Sequence, residues 1–238
     1  RGGIVRGDIG KSLSFSTAFY ENQVRLPDYA ERITSRGIVP GQARFKRNGA
    51  IYDYAFSTAY VSFSPNSTLN IQIGHDKQFI GNGYRSVLLS DNSFNQLFAK
   101  ASFYLANRKI KYSTWISQLQ TLERINIKST PEAYFKPKAA AFNYLSYKPN
   151  NRLELGFFES TIFKTYEDTL GTIPLHYSAY VPVLFGRTAL NGLSGTQNAM
   201  LGLNINYKIS NHVQAYGQLA VDDLQNNKQA LQIGVKYF

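Results

Sequence analysis

The sequence predicts an all-β protein, an antiparallel outer-membrane β-barrel with about ten to twelve strands in this chain. Three observations predict it. Apolar and polar side chains alternate along repeated segments of about ten residues, the spacing of a strand with two unlike faces. The polar faces carry Gly, Asn, Gln, Ser and Tyr rather than Lys and Glu, as a lumen of uncharged hydrogen-bonding groups would. Of the 238 residues only 17% are charged and 14% are aromatic, against roughly 25% charged in soluble domains. A soluble sandwich, with the aromatics filling a core between two sheets, is the alternative architecture for the same alternation.

Composition removes other classes. The chain has no cysteine, which excludes disulfide scaffolds, zinc fingers, iron–sulfur proteins and cysteine nucleophiles. No stretch approaches the 18 or so apolar residues of a membrane helix. The run 179–185 is short and contains Pro182. The net charge of +11 admits polyanions as partners, whether nucleic acid, acidic polysaccharide or anionic headgroups. Arg1-Gly2-Gly3 opens the chain without a leader, so the expectation is a processed protein or a piece of a longer one.

In chain order, Phe15, Phe19 and Tyr20 mark the end of a first strand region and precede a long connection over residues 21–50. A strand over 52–63 follows, opening with Tyr52 and Tyr54, then the turn Ser64-Pro65-Asn66-Ser67. Leu69, Ile71 and Ile73 then oppose Asn70, Gln72 and Gly74 in a strand that runs on to His75 and Asp76. Residues 77–93 form a long loop. Asn107-Arg108 and Lys148-Pro149-Asn150-Asn151 punctuate hairpins, with long connections over 121–137 and 166–196. The last three strands are the clearest. Leu201, Leu203, Ile205 and Tyr207 oppose Gly202, Asn204, Asn206 and Lys208; Val213 to Val221 and Leu231 to Tyr237 repeat the alternation as a β-meander. Leu201, Leu203, Ile205, Leu219, Ile233 and Val235 are expected to face lipid. Phe157, Phe158, Tyr237 and Phe238 join the other aromatics near strand ends, as interfacial girdles would.

Catalytic signals are weak. His75, His176 and His212 lie on separate segments with no i, i+4 pair, so a metal would need ligands from distant strands; no metal and no cofactor is expected. His75 and Ser90 are the one pair that a lipase-like chemistry would draw on. Glu154, Glu159, Asp222 and Asp223 are carboxylates available for acid/base work, with Asp222-Asp223 read more simply as a solvated turn. Basic residues are more informative. Arg25, Arg32, Arg36, Arg44, Lys46 and Arg47 crowd the first long connection, with Lys128, Lys136 and Lys138 in another. Facing outward, they would meet lipopolysaccharide phosphates or an acidic surface polysaccharide; equally, they would anchor the barrel at headgroup level. Nucleic acid is not an expected partner, since no helix or aromatic–basic platform supports it.

Residues 77–94 read KQFIGNGYRSVLLSDNSF. Gly81-Asn82-Gly83 is a turn tolerant of positive φ, and it lacks the third glycine and following helix of a dinucleotide fingerprint. Arg85 is expected to be partly or wholly buried near the wall or lumen and to meet Asp91, or failing that Asp76, beside Val87, Leu88 and Leu89. The segment would act as a latch folded into the lumen or as a ligand contact. It resembles the signature of the capsule-assembly Wzi-like outer-membrane barrels, and more closely the branch that includes gliding-motility proteins of Gram-negative bacteria. The motif lands on Gly81, Gly83, Tyr84, Arg85, Ser86, Leu88, Leu89, Ser90, Asp91 and Asn92, after His75 and Asp76. Arg6-Gly7, Ile9-Gly10-Lys11 and Phe15 also look like that branch. The terminal Phe238 resembles the C-terminal insertion signal of such barrels, one residue out of phase with Leu231, Ile233, Val235 and Tyr237. The detailed likeness covers the first half of the chain. It implies a non-enzymatic protein of the bacterial outer membrane that serves capsule or exopolysaccharide assembly, surface attachment, or gliding. It also implies that residues 1–238 are one barrel domain, the C-terminal portion of a longer protein with more strands. A subunit of a larger complex with other outer-membrane proteins and a diffusion porin remain alternatives.

Overall fold

The computed structural model describes residues 1–32, 34, 37–125, 134–191, 197–223 and 228–238. In chain order the elements are β1 (Gly2–Ile9), β2 (Leu13–Val24), α1 (Asp28–Glu31) and the short rim strands β3 (Ile38–Val39), β4 (Ala43–Arg44) and β5 (Lys46–Asn48). Then come β6 (Ile51–Phe63), β7 (Leu69–Asp76), β8 (Gln96–Leu105), β9 (Ile110–Arg124), β10 (Phe135–Tyr147) and β11 (Leu153–Lys164). The short β12 (Tyr166–Glu167) and β13 (Gly171–Thr172), a 3-10 turn (Tyr177–Tyr180) and α2 (Gly186–Asn191) precede β14 (Asn198–Lys208), β15 (Val213–Asp223) and β16 (Lys228–Tyr237). Among the described residues, eleven long strands form one wall in the order β1-β2-β6-β7-β8-β9-β10-β11-β14-β15-β16, every neighbour antiparallel. That number falls within the range expected from the alternation. Asp222 and Asp223 belong to β15 instead of a turn, because the ladder to β16 continues through Val221 and Asp223.

Tight turns join the strands at one end of the wall. Asn66 Oδ1 accepts the Thr68 and Leu69 N–H groups, and Asn150 Oδ1 accepts those of Arg152 and Leu153, all at 2.9 Å. Both asparagines follow a proline, so the two Pro-Asn turns close their hairpins by the same side-chain device. At the β8–β9 turn Ala106, Asn107 and Arg108 all take positive φ. With β1 as the first and β16 as the eleventh strand of an antiparallel meander, the two edges run in the same direction. Among the described residues neither edge is paired with the other.

Register decides which residues share a face. Leu203, Ile205, Leu219, Leu231, Ile233 and Val235 line up across β14–β16 on one face, and Val61, Phe63, Ile71, Ile73 and Leu97 continue it across β6–β8. Exposed Leu203, Ile205, Ile233, Val235, Val61 and Ile73 make this an apolar belt. The opposite face is concave: the segment joining β7 to β8 reaches β14, β15 and β16 across it. There Leu88 packs with Phe98, Trp115, Phe142, Tyr144 and Phe158, all buried. Trp115 stacks on Phe142 with centroids 4.8 Å apart, a contact that adds to area burial. The core of this protein therefore lies inside the wall, while the outer belt stays bare, the reverse of a soluble sandwich.

Candidate functional site

Residues 77–95 fill the concave side between β8 and β16 and fold back on themselves through an antiparallel bridge between Ile80 and Leu89. Three wall side chains hold this plug, one from each of three adjacent strands. Asn204 of β14 lies opposite Gln218 of β15, which lies opposite Gln232 of β16. Gln218 Nε2 donates to Ile80 O at 3.2 Å and to Asn204 Oδ1 at 3.0 Å. Its Oε1 accepts from Val87 N and from the Ser86 hydroxyl, each at 3.1 Å. Asn204 Nδ2 donates to Asn82 Oδ1 at 2.8 Å and to the Tyr144 hydroxyl at 3.4 Å. Gln232 Nε2 donates to Arg85 O at 3.0 Å. Buried amides need their donors and acceptors satisfied, and Gln218 engages both of its polar atoms.

The glycines of the motif are explained by this row. At Gly81, φ is +152°, and an added Cβ would stand 2.5 Å from Gln218 Nε2. At Gly83 it would stand 2.8 Å from Arg85 O, Gln232 Nε2 and the Tyr216 ring. Ser86 ties the turn: its hydroxyl also reaches Ile80 O and accepts Leu88 N and Leu89 N at 3.1 and 3.2 Å. Leu88 then enters the aromatic cluster. Lys100 closes the other side, donating to Gln78 Oε1 at 2.9 Å with its ammonium 4.9 Å from the Trp115 ring centroid.

Arg85 corrects the sequence expectation. It is exposed, its side chain 53% accessible, and it meets the equally exposed Asp91 at 3.8 Å. The partner is the one expected; the burial is not. The turn carries the Tyr84 and Arg85 side chains away from the wall, Tyr84 being 84% exposed with the guanidinium 4.8 Å from its ring centroid. The latch is formed by Asn82, Ser86 and Leu88 instead. Ser90 Oγ accepts Asn92 N at 3.2 Å, and Asn92 abuts Gly41 of the first long connection. Asp76 Oδ1 accepts Lys77 N at 2.7 Å. His75 is exposed and shares the convex face with Ile73 and Leu97, so it stands across the wall from Ser90, not inside the lumen.

The basic residues do not act as one patch. Arg25, Arg32 and Lys46 are exposed. Arg44 covers the Phe135 ring at 5.4 Å. Arg47 meets Glu31 at 3.4 Å, covers the Tyr52 ring at 5.2 Å and donates to Gly49 O. Arg36 and Lys128 lie outside the described residues. Lys136 meets Asp168 at 2.7 Å and Glu123 at 3.5 Å. Together with Lys138 and Lys164 it lines a cleft of about 750 Å³ at the long-loop end. Among the described residues no three His, Cys, Asp or Glu side chains gather into a potential metal site.

Glu159 is the residue whose setting the sequence hid most. It sits on the convex face of β11, opposite Asn143 of β10 and Leu201 of β14, yet it is fully buried. Residues 173–191 fold down over it as a flap. Glu159 accepts Phe185 N at 2.9 Å, Thr188 N and Thr188 Oγ1 at 2.8 Å, and Asn143 Nδ2 at 2.9 Å. Asn143 Nδ2 also donates to Val183 O at 3.0 Å, and the Tyr112 hydroxyl to Pro182 O at 2.8 Å. Leu175 and Ala179 pack on Ala139, Ala141, Ile116 and Phe163. A carboxylate with four donors is an anchor for the flap and has no free oxygen pair poised for acid/base work. Glu154, on the same strand, accepts the Ser146 hydroxyl at 2.6 Å and meets Lys148 at 3.5 Å.

No protein-family model and no curated protein matches the chain. Among solved structures it is similar to the NanC porin in a rhombohedral crystal form, with 11% identity and a TM-score of 0.46 over 100% of this chain and 98% of that one. It is also similar to in-vitro folded OmpT, an outer membrane protein of Vibrio cholerae, with 10% identity and a TM-score of 0.41 over 99% and 88%. Both likenesses are distant, and the assignment rests on the wall: a bare apolar belt outside, polar groups and a packed core inside, and strands in place of spanning helices make this chain a β-barrel protein of the outer membrane.

Proposed function

We propose that this chain is part of a non-catalytic outer-membrane barrel that holds or assembles an acidic surface polysaccharide, in the manner of the Wzi-like barrels or of their gliding-motility branch. The plug supports it above all: a lumen crossed by a segment pinned to three adjacent strands suits a scaffold better than an open diffusion path. The exposed cations Arg25, Arg32 and Lys46 stand where a polyanion would be met. In this reading further strands complete the wall. Because β1 and β16 run in the same direction, an all-antiparallel closure takes an odd number of additional strands, as the C-terminal portion of a longer barrel would require. Binding of purified acidic capsular polysaccharide to the full-length protein tests the proposal. Saturable binding lost on neutralising Arg25, Arg32 and Lys46 is expected, and no binding in low salt overturns it.

A diffusion porin is the second reading. It is favoured by the unfilled concave side of β1, where Ile4, Arg6 and Asp8 are exposed. Steady conductance of the reconstituted full-length protein in a planar bilayer, unchanged when the plug is excised, would select it.

A further inference from the structure

The two ends of the lumen differ in charge. At the short-turn end, the β8–β9 and β10–β11 turns and the ends of β11, β14 and β15 enclose a cleft of about 490 Å³, within the roughly 300–1,000 Å³ of small-ligand sites. Arg108, Lys109, Lys148, Arg152 and Lys208 line it, against the one carboxylate of Glu154. That carboxylate is already engaged by Lys148 at 3.5 Å and by the Ser146 hydroxyl. Among the described residues Lys109, Arg152 and Lys208 form no salt bridge. The cleft at the long-loop end is balanced, Lys136, Lys138 and Lys164 sharing it with Glu123, Glu167 and Asp168. Register puts the short-turn cleft inside the wall. Asn206 and Lys208 follow Asn204 at alternate positions of β14, with Glu154 opposite Asn206 and Gln214 opposite Lys208. These side chains therefore share the concave face, not the belt of Leu203 and Ile205. Lys236, opposite Gln214, adds a further cation on that face.

We propose that this cleft is a second site for acidic glycan, at the periplasmic mouth of the lumen; the glycan as ligand rests on the function proposed above. Outer-membrane barrels turn their short connections to the periplasm and their long loops outward, so the uncompensated cations meet what arrives from inside the envelope. A cleft lined by one sign of charge between low-dielectric walls focuses its field and concentrates counter-ions. The rest of the lining selects among anions. Asn107, Asn151, Asn206 and Gln214 stand among the cations, and their amides donate to and accept from hydroxyls, while the basic side chains pair with carboxylates. Leu153 is the one apolar side chain in the lining, too little for the apolar centre of a protein interface. The concave position separates the cleft from lipid headgroups.

The chain has no cysteine, so the cleft can be read locally. In the full-length protein in zwitterionic lipid nanodiscs, Asn151→Cys in this cleft and Thr169→Cys in the balanced one are each modified with an anionic and a cationic methanethiosulfonate. Folding of each variant is checked by heat-modifiable gel mobility. The ratio of anionic to cationic rates at Asn151→Cys is expected to exceed that at Thr169→Cys by about tenfold in low salt and to collapse in high salt. Trigalacturonate should slow a neutral thiol reagent at Asn151→Cys by about fivefold where maltotriose does not, and Arg152→Gln with Lys208→Gln should abolish that protection. Equal rate ratios at the two positions, equal protection by maltotriose or by inorganic phosphate, or slowing by phosphatidylglycerol in the disc without sugar would each overturn the proposal. Polymer binding through Arg25, Arg32 and Lys46 with Asn151→Cys left unprotected removes this site alone. Protection at Asn151→Cys without polymer binding removes the outer contact alone.

Discussion

Gln218 and Ser86 are joined across the lumen, Oε1 to Oγ at 3.1 Å, although 132 positions separate them in the chain. Through this contact a loop that starts between β7 and β8 is held by the far side of the wall. The same amide also takes Val87 N and donates to Ile80 O.

Replacing Gln218 by Ala leaves the Val87 N–H and the Ile80 carbonyl without this partner, at a cost of about 1–3 kcal/mol for a buried orphan. The plug should open while the wall stays folded. Limited proteolysis within residues 77–95 should accelerate at unchanged gel heat-modifiability; an unchanged cleavage rate would contradict the role given to Gln218.

Arg85→Ala should do much less. An exposed ion pair is worth about 0–1 kcal/mol, and the ladder holds Arg85 through its carbonyl, which alanine keeps. Equal plug protection in wild type and variant is the expected outcome, and plug release comparable to Gln218→Ala would restore the buried-latch reading of Arg85.

Gly83→Ala probes the close approach of the turn to the wall. The new methyl meets backbone Arg85 O at 2.8 Å, a group that cannot swing away as a side chain does. Overpacking of this kind costs about 1–3 kcal/mol. Hydrogen exchange should rise at Val87 and Leu89, and Gln232→Ala should fail to rescue it.

Glu159→Leu removes the acceptor of Phe185 N and Thr188 N. Each orphaned donor costs about 1–3 kcal/mol, so residues 173–191 should detach, and amide exchange at Phe185 and Thr188 should accelerate by at least tenfold. Glu159→Gln keeps one acceptor oxygen and should give an intermediate rate. Protection unchanged in both variants would show that the flap is held without Glu159, by the Asn143–Val183 and Tyr112–Pro182 hydrogen bonds and the packing of Leu175 and Ala179.

The triple change Arg25→Gln, Arg32→Gln and Lys46→Gln should weaken acidic-polysaccharide binding more at 20 mM than at 500 mM salt, because exposed charges are screened beyond about 10 Å at 0.1 M. Arg47→Gln should cost less binding, since Glu31 already partners that guanidinium. A salt-independent loss would mean the three residues act through folding.

Period two determined the wall from the sequence alone. Alternation in 201–207, 213–221 and 231–237 assigns every second side chain to one face, and that assignment is local, carried by the pleat of each strand. The Pro-Asn turns at 65–66 and 149–150 were legible for the same reason, since an Asx turn closes within four residues. Residues 77–94 were legible as a turn beside an apolar stretch, but which of its side chains meets the wall was not. That depends on Asn204, Gln218 and Gln232 coming into register on three separate strands, a relation set by strand pairing. Only the tertiary structure decided that Leu88 points inward while Arg85 points out. Glu159 shows the limit most plainly. Its place in the alternation puts it with Leu203 and Ile205 on the face that elsewhere meets lipid, and nothing in its neighbours along the chain announces the cover. A carboxylate at that depth survives because Phe185 N, Thr188 N and Asn143 Nδ2 converge on it from a flap and from the adjacent strand. Local pattern tells which face a residue takes; what lies against that face is settled by segments distant in sequence.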